Sequence, residues 1–74
     1  PLNYQRFLRS WRYKLGVTRA EAAVLLDVPI KTLEGWELGR PCAHERLLVL
    51  AMRQLLQDYN LHPRRMQQRL DRHA

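Results

Sequence analysis

The sequence predicts an all-α fold, a compact bundle of about five helices, and three observations carry that expectation. Apolar residues recur at spacings of three and four from Tyr4 to Leu15, the stripe of an amphipathic helix. Thr18 stands three residues before Glu21, a capping box in which each side chain satisfies an orphan amide at a helix start. Gly16, Pro29, Gly39 and Pro63 then punctuate the chain into short segments. The 74 residues make one domain, with its core over positions 4–58 and a C-terminal extension over 59–74.

The first helix carries Tyr4, Phe7, Leu8, Trp11 and Leu15 on one face and Gln5, Arg6, Arg9, Arg12 and Lys14 on the other. Gly16 supplies its stop. A second helix opens at Thr18 and presents Ala22, Ala23, Leu25 and Leu26 until Asp27, Val28 and Pro29 interrupt it. Pro29 holds Val28 extended, and its fixed φ suits the opening of a third helix over 30–38, which Gly39 ends. On a wheel of that helix Leu33 and Trp36 point inward as core. Lys31, Glu34, Gly35 and Leu38 point outward, with Ile30 flanking them. The outward set is odd for a merely solvated face: Gly costs roughly 1 kcal/mol relative to Ala inside a helix, and Leu38 is apolar. Close approach by another surface accounts for both.

After Pro41 comes a long apolar segment containing Leu47, Leu48, Val49, Leu50, Ala51, Met52, Leu55, Leu56 and Tyr59. One turn of it is apolar all round, more than a small three-helix core can cover, so a second buried surface is expected; the family resemblance given below implies that this is a homodimer contact within 47–70. Asn60 to Pro63 reads as a break, and Pro63 opens a last short helix bearing Met66 and Leu70. Its basic face, Arg64, Arg65, Arg69 and Arg72, reads as a solvated or dimer-edge surface ahead of a DNA contact.

Thirteen Lys and Arg against seven Asp and Glu give a net charge of +6 and a pI near 10.5, which suits an anionic partner. Nucleic acid ranks ahead of membrane, because no apolar run approaches the roughly 20 residues needed to span a bilayer. A single cysteine, Cys42, excludes an intramolecular disulfide framework and, without a signal-peptide pattern, favours a reducing cytoplasm. The opening at Pro1 fits removal of an initiator Met. Catalysis has little foothold: Ser10 is the only serine, no phosphate-cradling glycine motif occurs, and the acidic residues form no paired constellation. Cys42, His44, His62 and His73 lack the spacing of a structural zinc site, so neither metal nor cofactor is expected.

The stretch from Thr18 to Gly39 resembles the helix-turn-helix of the Cro/C1-repressor (XRE-type) family, whose pattern is roughly T-Q-x-x-L-A-x-x-L-G-V-S-x-x-T-I-S-x-W-E-N-G. Thr18, Ala23, Leu26, Val28, Thr32, Leu33, Trp36, Glu37 and Gly39 stand at the matching places. The sequence departs at Arg19 (usually Gln), Ala22 (usually Leu), Asp27 (usually Gly), Pro29 (usually Ser or Thr) and Leu38 (usually Asn). Asp27 then has to tolerate positive φ, which Asp does better than most residues.

The resemblance implies a lambda-repressor-like DNA-binding domain in which the third helix enters the major groove. Ile30, Lys31, Glu34, Gly35 and Leu38 would face base edges, and Arg19 and Arg40 would clamp phosphate. The reading of the residues leaves an alternative for Glu34, a same-helix partnership with Lys31 or with Arg40. The resemblance also implies an ion pair between Arg12 and Glu37 that braces the first helix against the third. The function it implies is that of a small transcriptional regulator of a bacterial nucleoid or phage-infected cell. Such a regulator is a dimeric repressor or autoregulator reading a pseudo-palindrome in double-stranded DNA. The alternative is a protein-interaction module, an antitoxin or adaptor working through the apolar C-terminal region.

Overall fold

Each of the first three helices ends in the same way, and those ends set the architecture. A computed structural model describes residues 4–72; Pro1, His73 and the side chain of Tyr4 lie outside what is described. Within those residues the elements are α1 (Tyr4–Leu15), α2 (Arg19–Leu26), α3 (Ile30–Glu37), α4 (Glu45–Leu61) and α5 (Pro63–Asp71). The fold is all-helical, as its periodicity predicts.

At the end of α1 the Gly16 N–H donates to the Tyr13 carbonyl and the Val17 N–H to the Arg12 carbonyl. The end of α2 repeats this with Asp27 N–H to Val24 and Val28 N–H to Ala23, and the end of α3 with Gly39 N–H to Trp36 and Arg40 N–H to Gly35. This paired pattern satisfies two orphan carbonyls per helix and requires a left-handed residue just past the end. Gly16 (φ 67°), Asp27 (φ 57°) and Gly39 (φ 109°) fill that place. Asp27 therefore adopts the left-handed conformation expected of it, with ψ 46°. The chain turns sharply three times within 30 residues, which folds α1, α2 and α3 back on one another.

Thr18 caps α2 as expected. Its hydroxyl accepts from the Glu21 N–H at 3.1 Å while the Thr18 N–H donates to the Glu21 carboxylate at 3.0 Å. No side chain caps α3; the carbonyl of Pro29 instead takes the N–H groups of Thr32 and Leu33.

Among the described residues a single cluster forms the core. Leu8, Trp11 and Leu15 of α1, Ala22, Ala23 and Leu25 of α2, Leu33 of α3, Leu48, Val49, Met52 and Leu55 of α4, and Met66 and Leu70 of α5 are all buried in it. The helix α4 packs on α1, α2 and α5, while α3 packs on α1 and α2. The core thus runs past position 58, because Met66 and Leu70 carry α5 into the same cluster as the rest. Trp36 differs from its expected core position: it is half-buried at the margin of the cluster, whereas Leu33 is fully enclosed. The half-buried Cys42 packs against the same cluster. Among the described residues, no helix is long and apolar enough to cross a membrane.

Candidate nucleic-acid interface

The geometry of α3 is governed by its last residue. Glu37 is 1% exposed, and its carboxylate Oε1 lies 3.2 Å from Nη2 of Arg12 on α1 and 3.5 Å from Nε of Arg19 on α2. A third arginine, Arg9, donates from Nη2 to the Glu37 backbone carbonyl at 2.9 Å. That carbonyl belongs to the C-terminal turn of α3, where the helix dipole favours a cation. Arg12 also donates from Nη1 to the Val17 carbonyl at 3.5 Å, tying the α1–α2 connection to the same group. One carboxylate thus joins three helices, and the expected Arg12–Glu37 pair is its shortest link.

With Leu33 and Glu37 holding one side of α3 inward, the opposite side faces out. Ile30, Lys31, Thr32 and Leu38 are exposed, Leu38 at 78%, and Glu34 is half-buried. The Glu34 backbone carbonyl accepts from the Leu38 N–H at 3.0 Å, within the last turn of the helix. The exposed set offers a cationic donor, a hydroxyl and two apolar side chains along one short helix. Those are the chemical types that read guanine, mixed edges and thymine methyl groups in a major groove.

Three of the residues expected to act at this face stand differently. Gly35, placed in the outward set by the wheel, is buried. The Arg40 side chain returns over it, so that a Cβ built on Gly35 would lie 2.9 Å from Arg40 Cδ. The turn at Gly39 reverses the chain and sends Arg40 back along α3. Gly35 is thus a seat for Arg40 and offers no surface for a base edge. Arg40 keeps a position beside the outer face. Arg19 stands at the first position of α2, with its side chain 46% exposed, but leans on Glu37.

Arg9 was not legible as a contributor, because its partner is a backbone carbonyl 28 residues away on another helix. Comparison with protein-family models, with curated proteins and with solved structures finds no match. The resemblance to the Cro/C1-repressor family therefore rests on the sequence pattern alone.

Proposed function

We propose that the chain is a small DNA-binding regulator that reads double-stranded DNA with the outer face of α3. The observation that carries this reading is the combination of a locked inner side, Leu33 and Glu37, with an exposed outer side of Ile30, Lys31, Thr32 and Leu38. Two apolar residues kept in solvent on a helix fixed at its end by three arginines call for a surface to meet. A major groove admits one helix and presents both methyl groups and hydrogen-bonding edges.

In this reading Lys31 donates to guanine O6 or N7, Ile30 and Leu38 meet thymine methyl groups, and Glu34 accepts from a cytosine amino group. Arg40, and Arg19 at the amino end of α2, contact phosphate. The net charge of +6 supports the same partner. Exposed Leu47, Leu50 and Leu61 on α4 support a homodimer through the region 47–70, which would present two copies of α3 to successive turns of one duplex face.

Selection from randomised duplex DNA tests the proposal: a recurring two-fold motif supports it, and recovery of no motif at low salt contradicts it. The same exposed leucines favour a second reading, a protein-interaction module such as an antitoxin or adaptor whose partner covers α4. A salt titration separates the two. If a dimer neutralises about six phosphates, DNA affinity falls by about 10³ between 50 and 200 mM salt. A flat titration favours the adaptor.

A further inference from the structure

A groove of about 270 Å³ lies along the seam between α1 and α4, remote in kind from the face of α3. Phe7, Ser10, Trp11 and Lys14 line it from α1, and Arg53 and Leu56 from α4. The spacing 7, 10, 11 and 14 is one face of a helix, so the four α1 residues form a continuous wall. Its chemistry is divided. Phe7, Trp11 and Leu56 are apolar and partly or fully buried, while Ser10, Lys14 and Arg53 are exposed. No acidic residue lines the groove.

The side chains of Lys14 and Arg53 make no hydrogen bond or ion pair among the described residues. Trp11, 2% exposed, contributes an indole Nε1–H with no acceptor among the described residues. Buried donors are nearly always satisfied in folded proteins, which makes this indole a sensitive reporter on the residue that lines the groove. Two cations lining one groove with apolar walls and no carboxylate among the lining residues are complementary to a ligand with an anionic head and an apolar body. Small-molecule pockets run from about 300 Å³ upward and combine apolar walls with a few polar groups; this groove shares that make-up and is slightly smaller, which limits it to a small ligand.

We propose that the α1–α4 seam binds a small amphipathic carboxylate, its apolar body against Phe7, Trp11 and Leu56 and its carboxylate between Lys14 and Arg53. The inference is independent of any role for α3. It follows from charge and shape at the seam: a neutral apolar ligand leaves both cations unanswered, and a bare anion leaves the floor uncovered.

Benzoate, benzyl alcohol and acetate are the probes, because they separate ring plus charge from ring alone and charge alone. Each is titrated into the full chain and followed by amide and indole proton–nitrogen correlation spectra. Benzoate should produce saturable shifts at the Trp11 indole N–H and at amides of positions 7–14 and 53–56, about tenfold tighter than either other probe. The double variant Lys14→Gln with Arg53→Gln, both at exposed positions, should keep the parental melting temperature and lose that tenfold preference. Equal response to all three probes overturns the proposal, as do shifts centred on Trp36 and an undiminished response in the double variant. Shifts at the seam that follow protein concentration without ligand also overturn it, since a second copy of the chain would then be the occupant.

Discussion

Glu37 is the residue on which the position of α3 depends. A buried carboxylate stripped of its partners is costly, and the reverse change leaves cations unpaired. Here Arg12 and Arg19 are 26% and 46% exposed at their side chains, so both can rehydrate when the carboxylate is removed. Glu37→Gln should therefore cost about 1 to 3 kcal/mol, below the range for a fully buried pair. Chemical denaturation measures it, and an unchanged midpoint would show that the carboxylate contacts of Arg12 and Arg19 do not brace α3. Asp27 gives a second residue-scale prediction. Its left-handed backbone is strained for any side chain with a Cβ, and β-branching makes it worse. Asp27→Val should lower stability by about 1 to 2 kcal/mol, whereas Asp27→Gly should match or exceed the parent. For a domain of this size each kcal/mol moves the melting temperature by about 4–8 °C. The opposite order of the two variants would mean that the α2–α3 turn does not hold its left-handed residue in solution.

Among the elements, α5 answers most directly to measurement. Met66 lies in the same buried cluster as Met52 of α4, so Met66→Ala should cost about 2 to 5 kcal/mol, as a buried methionine truncation does. A cost within about 0.5 kcal/mol of zero would make α5 the appendage that the sequence suggests. Much of the element structure was legible: the stripe of α1, the Thr18–Glu21 box and the left-handed role of Asp27 each rest on local chemistry that the chain displays within four residues. What escaped depends on side chains meeting across the fold. The burial of Gly35 needs Arg40 to return over α3 after the turn at Gly39. Arg9 reaches a carbonyl 28 residues away, for which no spacing in the sequence codes. The half-burial of Trp36 follows from Glu37, not Trp36, taking the interior position beside α1. On α4 the surplus of leucines was legible as a surplus. Which of them stay outside, Leu47 and Leu50, was settled by α1, α2 and α5 covering the remaining sides.

For the whole molecule, a domain of 74 residues with leucines left in solvent is expected to be completed by a partner. If that partner is a second copy, sedimentation at rising concentration should show a monomer–dimer equilibrium that Leu47→Glu and Leu50→Glu each shift toward monomer, with the helical signal retained. Dimers that resist both changes would move the contact elsewhere. The central claim, that the outer face of α3 reads DNA sequence, is tested most directly by comparing Lys31→Ala with Arg40→Ala on selected and randomised duplexes. Lys31→Ala should lose about 1 to 3 kcal/mol on the selected site and relax preference at one base pair per half-site. Arg40→Ala should weaken every duplex alike and flatten the salt slope. Base preferences unchanged by Lys31→Ala would contradict the assignment of α3 as the reading helix.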